Sequence, residues 1–488
     1  MGAPGRFERW GRNTGQSVKG GAGIEGRAVA TRVAVTIAFA NGLWFIWSNR
    51  FLPLSDYPDW IYQGLLFSKL LAGRLPHLYA LKRYPVPNAA IVTAALGLLN
   101  LLMSPEAAGK VVLTGAIGTF LFGSVYLLES LPRASGNPFV LVPALLMFNT
   151  HFFGGELSFL AGLSLFFIYS GILIRRLDAY DSLSPRFFLG WSLLFFFTHF
   201  ETYIFAVLIT AILSFQRCDK RRARALIIAF LPTACLSVWY VAARLVTHDL
   251  GSGSFWVPWT LHLVAGRYLG AFFLFPEFLP WLSIQHPVMR LAAILDLAAA
   301  AFIGMMWAFC AAAWVRGRRE NASVLAAAAV FAVGFPVAGF ELAGTYDPGG
   351  RFLYPAAWLA MCWLGAGARV RESKLLARSA TVGLVGLLAA QCAFLDVYAA
   401  GVSYHLAGVY RQLRDAPTRA EFCEIYDSYR KDEEPKPHRT GLDRFLTNHS
   451  TVVRLPYYLY AERGETAPIF QTGIFSYNGP GNNEDLCL

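Results

Sequence analysis

Apolar runs of about 16 to 25 residues recur along most of this chain, and a run of that length crosses the hydrocarbon core of a bilayer. Hydrophobic residues make up 56% of the 488 positions, whereas charged residues make up 15%. Lipid leaves no water to satisfy backbone groups, and the runs are unbroken rather than alternating, so helices are predicted and a barrel is not. We therefore expect an all-α polytopic membrane protein in contact with the lipid bilayer.

The basic residues lie mainly in the short connections between apolar runs. They give the chain a net charge of +11 and cluster at residues 175–186, 217–224, 316–319 and 369–378. This is the positive-inside pattern of membrane proteins, so the charge indicates orientation and argues against a nucleic-acid partner. Because six Lys/Arg precede the first run and it lacks a small-residue cleavage site, residues 1–32 are predicted to form a cytoplasmic tail before an uncleaved anchor.

The orientation of the basic connections limits how the runs can cross. Four runs lie between residues 88 and 174, at 88–103, 111–129, 138–150 and 157–174, but only an odd number of them can cross if the flanking loops are to lie correctly. The run at 138–150 is the shortest, so it is predicted to dip into the membrane and return. About eleven transmembrane helices result, with the C-terminus outside.

The run from residue 187 to residue 215 has basic residues at both ends, although it is too short for two ordinary helices and a turn. It is predicted to form a hairpin of short helices that breaks at "THFE". His199 and Glu201 would then lie in a depression near the outer surface, where an ionisable residue is a candidate for function. An exposed loop tip is the alternative interpretation.

The outward connections are long, and the C-terminal region is polar. The transmembrane domain is expected to span residues 33–400, with outward loops at 49–87 and 247–287 that each contain a predicted in-plane helix. Residues 401–488 are expected to form a small extracytoplasmic α+β domain, with strands in "TVVRLPYYLY" and "APIFQTGIFSY". Cys423 and Cys487 could pair there if the compartment is oxidising.

Two carboxylates follow the first predicted span in the stretch "FLPLSDYPDWIYQG". The prolines beside Asp56 and Asp59 prevent a regular helix and fix a turn. Carboxylates so placed could accept a proton from a hydroxyl group or hold a divalent cation against a phosphate, so both are candidate catalytic residues. Helix capping is the alternative, and we favour catalysis for Asp56 and an N-cap for Asp59.

A late outward loop, "ELAGTYDPGGRFLYP", contains one arginine. Arg351 follows two glycines, which allow a ligand to approach the backbone closely, and a guanidinium there suits bidentate contact with a lipid phosphate. Interfacial anchoring together with Tyr354 is the alternative. Tyr346 and Asp347 are neighbours that could shape the same pocket.

Two further stretches supply candidate binding residues. The stretch "HFFGGELSF" brings His151 and Glu156 to the outer end of the shortest run, either for binding or within a tight turn between short helices. Arg267 is the only Lys/Arg between residues 247 and 287, and it is a second candidate ligand for phosphate.

These features together resemble the GT-C superfamily of integral-membrane glycosyltransferases, which use polyprenyl-phosphate or dolichyl-phosphate sugars. The resemblance depends on an aspartate in the first outward loop ("LPLSDYPDW") and on short central helices with polar outward breaks ("HFFGGE" and "THFE"). It depends also on a late "GGRFLYP", similar to the Arg-Phe/Tyr-Leu-x-Pro that often opens a late span in the family. In layout it covers most of residues 33–400.

The resemblance implies an inverting transfer of a sugar from a polyprenyl-phosphate carrier to a glycan, lipid or protein acceptor. The reaction would take place on the periplasmic face of a bacterial inner membrane. Asp56 would be the base or a metal-associated carboxylate, and Arg351 would lie near the lipid phosphate. Because Asp56 and Asp59 are three positions apart, unlike the closer acidic pairs of several branches of the family, a requirement for Mg²⁺ or Mn²⁺ stays open.

Two other classes of function stay open as well. One is a transporter, flippase or polymerase of lipid-linked glycans, for which Asp296 and Asp396, in or near predicted spans, are candidate residues of an ion path. The other is a non-catalytic membrane scaffold whose tail binds partners.

Overall fold

The computed structural model describes residues 21–131, 138–215, 219–246, 261–272, 287–338, 341–342, 345–366, 374–430, 454–463 and 475–477. Most of these residues are helical, as expected for an all-α membrane protein. By length and composition, five helices in the described ranges could cross a membrane: Pro105–Leu128, Leu157–Arg175, Lys220–Val246, Ala292–Val315 and Thr381–Asp415. Strands in the same ranges are short and form two antiparallel pairs.

The helices are α1 Gly21–Ser48, α2 Tyr57–Leu71, α3 Ala90–Leu99, α4 Pro105–Leu128, α5 Val142–Leu145, α6 Thr150–Phe153, α7 Leu157–Arg175, α8 Pro185–Thr198, α9 Phe200–Phe215, α10 Lys220–Val246, α11 Leu261–Ala271, α12 Pro287–Val315, α13 Ala322–Val337, α14 Pro348–Gly365, α15 Lys374–Asp415, α16 Arg419–Arg430 and α17 Pro456–Arg463. The strands are β1 Tyr79–Leu81, β2 Glu341–Leu342, β3 Thr345–Tyr346 and β4 Phe475–Tyr477.

Arginines bind helix ends together at one end of the bundle, which we name the basic end. Arg175, at the end of α7, lies 4.1 Å from the ring of Tyr126 near the end of α4. Arg318, just after α12, donates to the backbone oxygen of Trp363 in α14 at 2.5 Å. Arg222, at the start of α10, donates to a carbonyl in the connection between α7 and α8. Three of the basic connections expected on one side therefore lie together.

The opposite end, which we name the site end, gathers the C-terminus of α1 and the N-termini of α4, α7, α9 and α14. Lys110 of α4 donates to the backbone oxygen of Asn49, which follows α1, at 2.7 Å. The backbone nitrogen of Phe200 at the start of α9 donates to the side chain of Asn88 at 2.9 Å. The contacts that join α7, α9 and α14 form the candidate site itself.

The predicted span at 88–103 is wrong, because both ends of this segment lie at the site end. Asn88 binds the start of α9 there, and the first turns of α4 pack against α2, where Gly109 faces the hydroxyl of Tyr57. The short helix α3 between them packs tightly on α2 through Gly64 and Gly97. The apolar residues of this segment therefore belong to a helix that packs against its neighbours and does not cross the membrane.

The predicted dip and return at 138–150 is also wrong, because this stretch joins the two ends. Ser130, before it, lies 3.5 Å from Cys362 near the end of α14, whereas the ring of His151, after it, lies 5.4 Å from that of Tyr354 near the start of α14. A 3₁₀ turn, α5 and α6 follow one another in the segment. A 3₁₀ turn rises more per residue than an α-helix, so a broken segment reaches further than its length suggests.

The hairpin predicted at "THFE" is confirmed. Helix α8 ends at Thr198, His199 adopts an extended conformation with φ −162° and ψ 124°, and α9 begins at Phe200. The hydroxyl groups of Tyr169 in α7 and Thr210 in α9 lie 2.6 Å apart. This hydrogen bond holds α9, the second helix of the hairpin, against α7. The break therefore lies at the site end, between two short helices.

The described parts of the C-terminal region fold back onto residues 49–87, the segment predicted to be the first outward loop. Helix α15 continues unbroken past residue 400, and α17 then packs on α2, with 5.6 Å between the rings of Tyr62 and Tyr457. Strand β4 pairs with β1, so Phe475 lies opposite Leu81. The strand predicted in "TVVRLPYYLY" is wrong for its last five residues, because the chain is helical from Pro456.

Candidate functional site

The start of α14 is shaped by Asp347, whose backbone is left-handed with φ +42°. Its carboxylate caps the helix by accepting from the backbone nitrogen of Gly350 at 2.9 Å. The same carboxylate binds the guanidinium of Arg267, with 2.5 Å between Nη2 and Oδ1. Arg267 and Asp347 are thus brought together, as neutralising partners of each other in a largely buried pair.

Arg351 lies one turn further along α14 and is buried, with 6% of its surface exposed. Its Nη2 lies 2.9 Å from Oε2 of Glu156, and its Nη1 lies 3.1 Å from Oε2 of Glu201. Its guanidinium also stacks 4.9 Å from the ring of Phe159. One arginine therefore joins the N-termini of α7, α9 and α14.

Two histidines complete this group. Nδ1 of His151 lies 3.0 Å from Oε2 of Glu156, and Nε2 of His199 lies 3.5 Å from Nη1 of Arg351. The ring of Phe159 lies between the two imidazoles, with centroid separations of 4.7 Å and 5.3 Å. We name the set His151, Glu156, His199, Glu201 and Arg351 the arginine cluster.

The electrostatics of the arginine cluster favour charge on Glu156. Burial alone would raise the pKa of its carboxyl, but the positive charge of Arg351 and the contact with His151 outweigh it and hold the pKa at about 2. Within the described residues, Nδ1 of His199 and Oε1 of Glu201 have no hydrogen-bond partner. The cluster thus contains one ion-paired carboxylate, that of Glu156, and two polar atoms that can still form hydrogen bonds.

Asp56 is attached to the arginine cluster through the backbone. The amide nitrogens of Ser55 and Asp56 donate to the carbonyl oxygens of Phe153 and Gly154, each at 3.0 Å. Gly155, with φ +72°, lies so close that a Cβ there would be 2.7 Å from the nitrogen of Asp56. The first outward loop is therefore fixed on the turn that carries Glu156.

The carboxylate of Asp56 is more exposed than that of Asp59. Its side chain is 39% exposed and forms an ion pair with Arg454, which is 21% exposed and comes from the C-terminal region. Asp56 holds the N-cap position of α2, but its side chain makes no capping hydrogen bond. The carboxylate is therefore available to groups outside the helix.

Asp59 is not the N-cap, contrary to expectation, because α2 already begins at Tyr57 with a proline in its first turn. Its side chain is 4% exposed and accepts from Nε2 of Gln63 at 2.6 Å. It also lies near Tyr457, whose pKa is raised well above its usual value by burial and by this carboxylate. Asp59 is therefore enclosed between α2 and α17, where the hydroxyl group of a sugar acceptor cannot reach its carboxylate.

The sequence-predicted residues fall into several groups. Five of them form the arginine cluster, Arg267 and Asp347 form the adjacent pair, and Asp56 joins through the backbone. The side chain of Tyr346 lies outside the described residues. Asp396 lies in α15 and accepts from the side chain of Asn41 in α1 at 3.2 Å, and Asp296 is buried within α12.

Two residues of the site were not predicted. Phe159 lies in an apolar run, but its position three residues after Glu156 places it on the same helical face, which could have indicated it. Arg454 was hidden within a stretch interpreted as a strand. Its signal is that it directly precedes "LPYYLY", an aromatic segment able to pack on the outward loop.

The described residues contain no group of three or more His, Cys, Asp and Glu side chains arranged to hold a metal ion. Cys423 is disulfide-bonded, and its predicted partner Cys487 lies outside the described residues. A scan of family models, a search of curated proteins and a search of solved structures each find no match to this chain.

Proposed function

We propose that this protein is a membrane glycosyltransferase of the GT-C type that moves a sugar from a polyprenyl-phosphate carrier to an acceptor. Asp56 is the base, and the reaction takes place at the site end. The proposal is supported by the geometry of the site end. It requires an acidic side chain and a cationic one at the same end of the bundle.

One observation carries the proposal. The amide of Asp56 donates to the carbonyl oxygen of Gly154 at 3.0 Å, and two residues later Glu156 lies 2.9 Å from Arg351. The first outward loop and the start of α14 therefore meet across a single turn, although nearly 300 positions separate Asp56 from Arg351 in the chain. A base and its supporting charges need this proximity to act on one substrate.

The proposed step is an inverting displacement at the anomeric carbon of the donor sugar. The acceptor hydroxyl gives its proton to the carboxylate of Asp56 while its oxygen bonds to the anomeric carbon. The bond from that carbon to the phosphate oxygen breaks, and the electron pair leaves with the polyprenyl phosphate. General-base assistance of this kind contributes about 10² to 10⁴ in rate.

In this proposal Arg351 is a supporting residue that does not contact the substrate. Both terminal nitrogens of its guanidinium are engaged by carboxylates, and the side chain is buried, so it holds the site end in register. In the proposed step, the partly exposed carboxylate of Asp56 accepts the proton of the acceptor hydroxyl. The partly exposed carboxylate of Asp56 could bind a divalent cation, Mg²⁺ or Mn²⁺, but the proposed step does not require one.

We further propose eleven membrane crossings, with the N-terminus cytoplasmic and the C-terminal α+β region periplasmic in a bacterial inner membrane. The crossings are α1, α4, the segment 138–153, α7, α8, α9, α10, α12, α13, α14 and α15. Their support is the alternation of these segments between the basic end and the site end. The positive-inside rule then orients the basic end toward the cytoplasm.

The test is to reconstitute the purified protein in lipid with radiolabelled polyprenyl-phosphate sugars, with and without chelator. We expect label to leave the carrier lipid, and Asp56→Asn to lower the rate at least about 100-fold. Asp415→Asn is the matched control, because Asp415 is an exposed carboxylate paired with Arg414 in the helix that leads to the tail. Absence of label loss with every donor contradicts the proposal, as does full activity of Asp56→Asn.

A further inference from the structure

The cationic side chains near the proposed reaction centre differ in their availability. Arg351 is buried and engaged by Glu156 and Glu201. Arg267 is buried, binds Asp347 and stacks 5.0 Å from the ring of Phe335. A phosphate that approached either of these arginines would have to displace a carboxylate from a buried ion pair, which is costly.

Arg454 differs from both in exposure and in its partner. Its side chain is 21% exposed, and the partner that binds it, Asp56, is 39% exposed and is the proposed base. An ion pair that reaches solvent is weaker than a buried one, so exchange of one anion for another costs less at Arg454 than at Arg267 or Arg351. A guanidinium also offers several donors in a planar fork, which suits the oxygens of a phosphate.

The segment that carries Arg454 is fixed on the first outward loop. Tyr458 in α17 packs on Phe51 with 5.2 Å between ring centroids, and Glu462 binds Arg50 at 2.6 Å. These contacts hold α17 against the residues that precede α2. The position of Arg454 is therefore a property of the packed structure and not of a loose tail.

We propose that Arg454 binds the phosphate of the lipid carrier, and that this exchange releases Asp56 to act as a base. Without phosphate, Arg454 pairs with Asp56. When the phosphate binds, its oxygens accept hydrogen bonds from the guanidinium of Arg454 and the ion pair with Asp56 breaks. The carboxylate of Asp56 is then able to accept the proton of the acceptor hydroxyl. The inference depends on the proposed function for the role of Asp56, but the phosphate site itself is measured separately.

The binding test uses the purified full-length protein in nanodiscs and follows its thermal unfolding midpoint. The probes are a short-chain polyprenyl phosphate, the polyprenol without phosphate, and inorganic phosphate. We expect the polyprenyl phosphate to raise the midpoint of the wild type and the polyprenol to have little effect. A response to inorganic phosphate equal to that of the lipid would assign the site to free phosphate and overturn a lipid carrier.

Variants then test the residue. Arg454→Ala is expected to weaken binding of polyprenyl phosphate about tenfold or more, since a charged hydrogen-bonding group is lost. Arg454→Lys is expected to restore part of the binding. Arg463→Ala is the matched control, because Arg463 ends α17, the helix that follows Arg454, and donates to the backbone oxygen of Arg414 at 2.7 Å. Equal binding by Arg454→Ala and wild type overturns the inference.

A second variant keeps the inference testable if Arg454→Ala does not fold. Asp56→Asn removes the competing charge, so it is expected to tighten binding of polyprenyl phosphate several-fold while it abolishes transfer. Weaker or unchanged binding overturns the inference. Arg454-dependent binding without any sugar transfer by the wild type would leave the phosphate site standing and contradict the glycosyltransferase proposal instead.

Discussion

Gly155 lies directly against the backbone of Asp56, with a positive φ of +72° and a position at which a Cβ would be 2.7 Å from the Asp56 nitrogen. Gly155→Ala is therefore expected to strain the turn by about 1 to 2 kcal/mol for the left-handed backbone alone. The contact adds a further cost, because the atom it meets belongs to backbone. We expect a lower unfolding midpoint in detergent and reduced activity.

The control for this substitution is Gly190→Ala. Gly190 lies within α8, and in the part of the chain that the structure describes no heavy atom of a neighbour lies within 4 Å of the position of its Cβ. Alanine favours a helix over glycine, so the control is expected to leave the midpoint equal or higher. Equal midpoints for the two variants would contradict the close contact between the turn and the first loop.

Removal of Arg351 is expected to be the most damaging single change in the arginine cluster. Arg351→Ala leaves the partly exposed carboxylate of Glu156 and the buried carboxylate of Glu201 without their cation, and removal of one partner from a buried ion pair costs about 3 to 5 kcal/mol. The unfolding midpoint in detergent should fall accordingly. Adding Glu156→Gln to this variant should recover part of the loss, because the carboxylate of Glu156 is ionised at neutral pH and one uncompensated charge is removed.

An exposed ion pair provides the comparison for Arg351. Arg414→Ala removes the partner of Asp415, and both side chains are largely exposed, so we expect no measurable change in the midpoint. A loss as large as that of Arg351→Ala would contradict the role of burial. A double variant no more stable than Arg351→Ala would contradict the charge argument.

The pH dependence of the cluster follows from Glu156. Its pKa is about 2 in the folded protein, below the usual 4.5, because Arg351 and His151 outweigh the effect of burial. A lowered pKa stabilises the folded state fully above 4.5, and the contribution is lost as the pH falls through about 2. The difference in midpoint between wild type and Glu156→Gln should therefore be constant near neutral pH and shrink in acid. A difference that grows in acid would contradict this sign.

The disulfide of Cys423 allows the topology of the tail to be tested. Proteolysis without reduction, followed by mass spectrometry, is expected to give a peptide that joins Cys423 to Cys487 and separates after reduction. Disulfides persist in oxidising compartments, so this result agrees with a periplasmic C-terminal region. A link to Cys218, which lies between α9 and α10, or a reduced Cys423 would contradict the prediction.

The sequence predicted the hairpin at His199 because its signal is local. Basic residues at both ends of an apolar run that is too short for two full helices can be accommodated only by a break near the middle. Such charge patterns report the side on which a loop lies. They therefore predicted the clustering of Arg175 and Arg318 at one end as well.

The segment 88–103, which was wrongly predicted to cross, differs from a crossing helix in what surrounds it. The run around Leu96 is apolar because α3 packs on α2 at Gly64, and hydropathy does not distinguish burial in protein from burial in lipid. The role of Arg454 could not be predicted either, since its ion pair with Asp56 joins positions almost 400 residues apart. Such pairings depend on tertiary packing.

The covering of the first outward loop by α17 and β4 has a consequence for biosynthesis. The loop leaves the ribosome early, whereas the segments that pack on it are made last, after every hydrophobic helix has been inserted. A nascent chain released before residue 454 would still carry the bundle, but Phe51 and Tyr62 would lose the aromatic rings of α17 that pack on them. Premature termination should therefore yield an inserted protein that quality-control proteases recognise at that exposed surface.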